Sequence, residues 1–460
     1  MRLCLGMRLR SVRAARQTVR SAARLAALLG APFALAASAA ATEDIHLVQA
    51  GTLLAVPGEA PLSQATVIVR GERIERVASG YLTAGDVEAG PNDTVTVHDL
   101  RDMTVLPGLI DGHVHLTSEN NPSQRLQAVE LSEGDRALLA AHHAEKTLMA
   151  GFTTVRDVGA RGGDAIFALR EATARGWVPG PRILASGSTI SVTGGHGDGT
   201  QGYRDDVAGL LHSSGVCDGP DACRAAVREQ VRRGADHIKL TATGGVLSNT
   251  ATGTEQQFTD AELEAIMQTA HAMGRKVTAH AHGKAGIEAA LRAGVDSIEH
   301  GTYLDDDTAR LFRRRGAYLV PTILAGVTVA EWSEDPQTFL SPFQKAKAAE
   351  VGPRMLGMAR TAHESGVPIA FGTDSGVSRH GENAREFGLL VEAGLTPMEA
   401  IRTATVAGAD NIGRSADLGT IEAGKLADLI AVDEDPLADV DALLDVDFVM
   451  KAGAVFKSPD

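Results

Sequence analysis

A short apolar run ending in two histidines one residue apart constrains this chain more than any other feature. In Leu106-Pro107-Gly108-Leu109-Ile110-Asp111-Gly112-His113-Val114-His115 a strand-type segment meets a Pro-Gly break, resumes, and delivers His113 and His115 at i and i+2. On an extended backbone, side chains two apart share a face, so the pair can grip one cation together. Two histidines at a strand end also serve as satisfied polar groups, so the pair alone leaves metal binding open. The rest of the chain narrows the choice, because several later strand-like runs each end in a further residue able to bind a metal.

Those runs follow a regular rhythm. Strand candidates at 109–113, 153–158, 182–186, 237–242, 276–280, 297–301, 318–322 and 368–372 alternate with stretches of helical periodicity such as 222–233, 260–273 and 285–293, several closed by glycine. The alternation predicts an α/β fold, a (β/α)8 TIM barrel over 107–413. A doubly wound sheet is the alternative, but it calls for a glycine-rich phosphate-binding turn after its first strand, where this chain carries histidines. Short β-type runs lie before the barrel (45–48, 52–56, 65–69, 74–77 and 95–99) and after it (419–432 and 447–456). They predict a small composite β-sandwich domain built from both chain ends, 42–106 and 414–460.

The first 41 residues read differently. Seven arginines and no acidic residue precede Leu25-Ala26-Ala27-Leu28-Leu29 and an alanine-rich run offering Ala37-Ser38-Ala39 or Ala39-Ala40-Ala41 as cleavage sites. This is the layout of a secretory signal peptide over 1–41, with an amphipathic organelle presequence as the alternative. Export would place the mature protein in the periplasm or outside the cell. Loss of those arginines would leave it seven charges more negative than the −14 of the whole chain. Nucleic acid and anionic membranes are therefore not expected partners. No later apolar run reaches the roughly 18 residues of a membrane span. Maturation would also leave two cysteines, Cys217 and Cys223, around a Gly-Pro turn. They either pair in an oxidising compartment or stay as two thiols; their spacing is not a zinc pattern.

In a barrel the strand C-termini converge on one mouth. There the sequence places His113 and His115 after the first strand, His196 in the loop beyond the third, and Lys239 on the fourth. The fifth gives His280 and His282, the sixth His300, and the eighth Asp374. Three imidazoles suffice for one zinc, and this set is larger, so two metals are expected. Lys239 lies within an apolar strand run, where an unpaired ammonium would be costly.

With Thr193-Gly194-Gly195-His196-Gly197, His237-Ile238-Lys239, Ala242-Thr243-Gly244-Gly245 and Ala279-His280-Ala281-His282-Gly283 added, the chain resembles the metal-dependent amidohydrolases, a superfamily that includes urease, dihydroorotase and imidazolonepropionase. Within it, these motifs resemble the Xaa-Pro dipeptidase and aminoacyl-carboxypeptidase-like branch, which contains ochratoxinase. The resemblance implies two divalent ions per subunit, zinc being the expected metal. His113, His115 and Asp374 would hold the more buried ion and His280 and His300 the more exposed one, bridged by Lys239 as an Nζ-carboxylated lysine. Asp374 would act as general base and then acid, and His196 would polarise the scissile carbonyl. His282 would contact substrate or support a ligand, with metal binding the lesser alternative. A dipeptide or N-acyl amino acid with a free α-carboxylate is the implied substrate. Tyr203 and Arg204, on the loop after the third strand, are candidates to bind that carboxylate unless the loop is merely solvated. The resemblance also implies a homo-oligomer, with the octamer as the form to look for. Cyclic-amide hydrolysis or deamination of the imidazolonepropionase type is the alternative activity, and a non-catalytic binding relative the alternative class.

The other histidines (His46, His98, His142, His143, His212, His237, His271, His363 and His380) receive no functional role. Strand alternation turns His237 into step with Lys239, which makes it the weakest of these assignments. Arg156 and Asp157, at the end of the second strand, are expected to form structural ion pairs.

Overall fold

The structure, a computed structural model, describes residues 43–160 and 163–459; the expected signal peptide lies outside them. In chain order the strands are β1 (Asp44–Leu53), β2 (Leu62–Arg70), β3 (Arg73–Ser79), β4 (Thr94–Pro107), β5 (Leu109–Val114), β6 (Phe152–Asp157), β7 (Arg182–Ala185), β8 (Ile238–Thr241), β9 (Val277–Ala281), β10 (Ser297–His300), β11 (Tyr318–Val320), β12 (Leu429–Val432), β13 (Phe448–Lys451) and β14 (Ala454–Lys457).

Both chain ends meet in one mixed sheet, ordered β14-β13-β12-β4-β1-β2-β3. Both ends of the chain, expected to share one β domain, contribute to this seven-stranded sheet, which has apolar residues on both faces. Val67 and Val69 of β2 join one cluster and Ile68 joins another, as the period of two requires. The run at 45–48 and the start of that at 52–56 belong to one strand, β1, whose register against β4 shifts between Ala50 and Thr52. A Cβ at Gly51, within that shift, would lie 2.1 Å from the Arg101 carbonyl oxygen. This glycine marks a bulge. β12 runs antiparallel to the end of β4, with Leu429 opposite Pro107. The C-terminal segment thus braces the chain where it enters the two-histidine run.

The remaining strands are parallel and nearly all buried, and form a sheet β5-β6-β7 and a sheet β11-β10-β9-β8. Buried on both faces, they read as apolar runs. Backbone hydrogen bonds join the sheets on both sides. On one side Asp236 N–H donates to the Ala185 carbonyl (2.8 Å) and Ile190 N–H to that of Lys239 (2.8 Å). On the other, the segment expected as an eighth strand links β11 to β5. Ala370 N–H donates to Leu319 (2.9 Å), Gly112 N–H to Phe371 (2.9 Å) and Asp374 N–H to His113 (2.8 Å). That segment forms only isolated bridges, such as Leu319 to Ile369, because Phe371 N–H turns away to the Thr403 carbonyl. Its ladder is interrupted where a regular strand was expected.

The helices between strands are capped as their sequences indicate. Pro220–Arg233 has proline in its first turn and left-handed Gly234 at its end. Asp260–Ala272 begins with a Thr259/Glu262 capping box. Of the two readings left open for the cysteines, the structure takes pairing: Cys217 and Cys223 form a disulfide just before and within the first of these helices. No helix among the described residues is long and apolar enough to cross a membrane.

Candidate metal centre and active site

The parallel strands bring the predicted side chains together. Candidate ligand atoms of His113, His300 and Asp374 lie within 4.8 Å of one another, as do those of His280, His282 and His300, and all of these residues are buried. His115 joins through its Nε2, 3.3 Å from Asp374 Oδ1, while His113 Nε2 lies 3.5 Å from the same oxygen. His196 arrives from its loop, its ring centroid 4.2 Å from that of His280. A Cβ on Gly245 would come within 2.3 Å of the His196 ring, so only glycine there admits it.

Backbone strain is concentrated here. His300 (φ 73°), Thr322 (φ 50°) and Asp374 (φ 58°) are three of five non-glycine residues with positive φ among those described. Such conformations persist where the surroundings over-determine them, commonly at functional sites.

Hydrogen bonds away from the centre set most of the ring tautomers. His113 Nδ1–H donates to Glu299 Oε2 (2.7 Å), and His115 Nδ1–H donates to the Gly159 carbonyl (2.7 Å). Thr322 gives its hydroxyl proton to the Pro321 carbonyl, so at 2.7 Å its oxygen accepts from His300 Nδ1–H. Thr302, whose hydroxyl faces Met355 Sδ, likewise accepts from His282 Nδ1–H (2.7 Å). Each of these rings keeps a lone pair on Nε2. His280 is reversed: its Nε2–H points to the Gly244 carbonyl at 3.3 Å, which leaves Nδ1 as the donor atom. Imidazoles held this way by their second nitrogen are the usual form of a metal-binding histidine.

The electrostatics agree. Burial holds His115 and His282 down to about 4 and His196 to about 3, and holds His280 and His300 well below the ordinary histidine value. The rings are therefore neutral, as metal ligands must be. Burial also lowers Lys239 to about 8, so a larger share of it is uncharged amine at neutral pH than for a surface lysine. Burial alone would raise the Asp374 carboxyl, but His113, His115 and Lys239 outweigh it and keep it below the usual range. His113 Nε2 and Asp374 Oδ1 are both buried without a hydrogen-bond partner. Orphaned donor atoms facing one another in this way fit a cation between them.

The amidohydrolase family profile matches residues 104–455, which spans the whole of this site. The chain belongs to the amidohydrolase family. Among its relatives, ochratoxinase of Aspergillus niger is 33% identical over 437 residues, covering 90% of this chain and 87% of that enzyme. A crystal structure of a Xaa-Pro dipeptidase with methionine bound in its active site is 42% identical, with a TM-score of 0.83, covering 90% of this chain and all of that one. A prolidase complexed with N-methylphosphonate-L-proline is 32% identical, with a TM-score of 0.79 and coverage of 90% and 100%. This amidohydrolase therefore lies in the ochratoxinase and Xaa-Pro dipeptidase branch. It is a hydrolase acting on amide or peptide bonds, of a metal-dependent superfamily.

Within this amidohydrolase the predicted residues fare unequally. His113, His115, His280, His300, Lys239, Asp374 and His196 converge. His282 does too, and its grouping with His280 and His300 gives it the standing of a ligand candidate rather than only a neighbour of ligands. Tyr203 and Arg204 do not converge. Arg204 is exposed and paired with Asp206, and Tyr203 hydrogen-bonds the Arg125 carbonyl (3.0 Å) beneath the Arg125 guanidinium. Arg156 does form a buried ion pair, with Glu299 at 3.0 Å. Asp157 instead accepts the Leu116 and Gly159 N–H groups, and burial raises it to about 6. His237 is buried with neither ring nitrogen hydrogen-bonded and joins no ligand group among the described residues.

Two residues were missed. Glu299 lies one position before His300, and its parity on β10 could have drawn attention to it. Lys347 could not have been found from sequence. It reaches in from helix Pro342–Val351 and donates to the carbonyls of Gly245 (2.9 Å), Ser248 (2.8 Å) and Thr250 (3.4 Å). It lines a cavity of about 710 Å³ together with Gly283, the residue after His282.

Proposed function

We propose that this amidohydrolase is an exported, binuclear enzyme that hydrolyses the amide bond of dipeptides or N-acyl amino acids bearing a free α-carboxylate, ochratoxin-type amides included. The observation that carries this reading is a set of five histidines and Asp374 around a buried lysine, in a chain whose relatives are an ochratoxinase and a Xaa-Pro dipeptidase.

His113, His115 and Asp374 would hold one ion and His280 and His300 the other, with His282 available to the second. Lys239 would be shared between them: its uncharged amine would add to carbon dioxide and lose a proton, and the resulting carbamate would offer two oxygens. When bound, two divalent ions, zinc by the nature of the nitrogen donors, supply Lewis-acid polarisation of the carbonyl and lower the pKa of a water. Asp374 directs Oδ1 at the histidine nitrogens, so Oδ2 takes the proton of the attacking water and returns it to the departing nitrogen. An amine leaves poorly unless protonated, so one carboxylate serves as base and then acid. His196 donates to the carbonyl oxygen as charge develops on it.

Lys347, in place of Arg204, is the carboxylate partner. Its ammonium charge is felt at both His196 and His282. Its contact to Thr250 is the longest of its three, at 3.4 Å, so a substrate carboxylate would take the N–H now directed at that carbonyl. The two parallel sheets are read as halves of one (β/α)8 barrel over 107–413, with the shared sheet as a second domain. The disulfide favours an oxidising compartment, in keeping with a cleaved signal peptide over 1–41. A homo-oligomer, with no nucleic-acid or membrane partner, completes the reading.

The test is a turnover screen of zinc-loaded protein on Xaa-Pro dipeptides, other dipeptides and N-acyl amino acids, with metal content measured for wild type and Lys239→Ala. Release of amino acid by wild type, with loss of bound metal and turnover in the variant, is the expected result. Hydrolysis of cyclic amides alone, or unchanged metal content in the variant, overturns it.

A further inference from the structure

Outside that centre a second group of ligand-type side chains gathers. Candidate donor atoms of Glu119, His143 and His380 all lie within 4.8 Å of one another, with both histidines buried and Glu119 half-buried. His143, on helix Glu133–Met149, donates from Nδ1–H to the Leu116 carbonyl at 2.8 Å. A carbonyl only accepts, so the neutral ring keeps its lone pair on Nε2. His380 is held the opposite way. Its Nε2–H points to the Ser118 carbonyl at 3.1 Å, so its lone pair is on Nδ1, an atom buried with no hydrogen-bond partner. The rings stack with centroids 4.2 Å apart and planes 20° apart, and a donor atom of each lies within 4.8 Å of the other and of a Glu119 oxygen. Glu119 accepts the His380 backbone N–H on Oε2 (3.1 Å) and leaves Oε1 for another partner.

Burial keeps both rings below the ordinary histidine value, so neither is an imidazolium paired with the carboxylate. The arrangement reproduces what metal-binding histidines require: one ring nitrogen anchored on a backbone carbonyl and the other presented as a neutral donor. We propose that Glu119, His143 and His380 form a separate site for one divalent transition-metal ion, bound by two imidazole nitrogens and a carboxylate oxygen. Two nitrogen donors suit zinc and disfavour calcium or magnesium, and water completes a tetrahedral shell.

The site's place in the fold defines its task. Leu116, Ser118 and Glu119 are on the segment that leaves His115, and His380 is on the segment that leaves Asp374. These segments already touch where Asn120 N–H donates to the Gly376 carbonyl (2.6 Å). An ion here clips the two loops to helix Glu133–Met149, and so holds His115 and Asp374 in register without contacting substrate. The proposal does not depend on the substrate or metal count of the catalytic centre.

Crystals of the wild-type protein grown with zinc, measured at the zinc absorption edge, test it directly. An anomalous peak is expected at the edge of the stacked pair, beside His143 Nε2, His380 Nδ1 and the Glu119 carboxylate, and elemental analysis after desalting should show one equivalent of zinc per subunit fewer in His380→Asn and in Glu119→Gln than in wild type. Zinc added to metal-free wild type should also raise the melting temperature more than in either variant. Absence of a peak at that position overturns the site. So does a peak accompanied by identical zinc content in wild type and both variants.

Discussion

Glu299 Oε2 accepts Nδ1–H of His113 at 2.7 Å, with both side chains essentially excluded from solvent. Its other oxygen is held by Arg156 Nη2 (3.0 Å), the Ser297 hydroxyl (2.8 Å) and Thr278. The carboxylate is thus saturated with donors, and Arg156 and His113 hold its pKa far below the usual range despite burial. It fixes the tautomer that points His113 Nε2 at Asp374.

Replacing this anchor should therefore be felt at the metal. Glu299→Gln presents an amide where Arg156 and His113 both need an acceptor, and metal affinity should fall about 10-fold to 100-fold, the usual span for a residue that orients a ligand. Competition with a chromogenic chelator measures it. Unchanged affinity would show that His113 is oriented by other means.

Lys347→Met should raise KM for substrates with a free carboxylate about 10-fold or more and leave carboxyl-blocked substrates unaffected, since a charge-assisted hydrogen bond contributes about 1.5–3 kcal/mol. Because burial lowers Lys347 to about 8, its ammonium is lost as pH rises through that value. Wild-type KM for the free carboxylate should climb there, and the variant's should not. Equal KM profiles for the two proteins would return the carboxylate to another partner.

Metal-free protein should lose stability in mild acid. The folded-state values of His115 and His282 lie near 4 and those of His196 and His380 near 3, all lowered from 6.5 by burial. Below pH 6.5 the unfolded chain binds protons that the folded chain refuses, so stability is full above that pH and falls as pH drops towards 4. Thermal melts at pH 7.5, 6 and 5 check this. A flat melting temperature across that window would contradict buried, neutral imidazoles.

Reduction of Cys217–Cys223 should cost about 2 kcal/mol, the order expected for closing a short loop at a sequence separation of 6. The neighbouring Asp218 accepts from both the backbone and the hydroxyl of Thr193, at the start of the segment that carries His196. Denaturant melts with and without reductant, alongside thiol titration, test the pairing and its effect.

Much of the architecture was legible because it is written in local periodicity. Seven of the eight expected parallel strands are present, with ends shifted by a residue or two, because an apolar run bounded by glycine or proline has few other uses in so regular an alternation. The eighth differed at Phe371, whose N–H goes to Thr403, a partner that strand propensity does not register. The runs at 45–48 and 52–53 likewise proved continuous through Gly51: glycine punctuates a chain at turns and bulges alike, and only the Arg101 carbonyl pressed against it decides which.

The sequence by itself determined which side chains gather at the main centre. Residues at strand ends are carried to one place by any parallel α/β arrangement, so His113, His115, His196, Lys239, His280, His282, His300 and Asp374 could be named without coordinates. Only the tertiary structure decided which nitrogen of each ring faces inward, that Arg204 spends its charge on Asp206, and that Lys347 reaches the site from a helix about a hundred residues beyond Gly245. It alone gathered Glu119, His143 and His380, which lie on two loops and a helix with no shared spacing. Periodicity reports which face of an element a side chain occupies. Hydrogen-bond direction and the meeting of distant loops depend on packing between elements, and no local pattern encodes that.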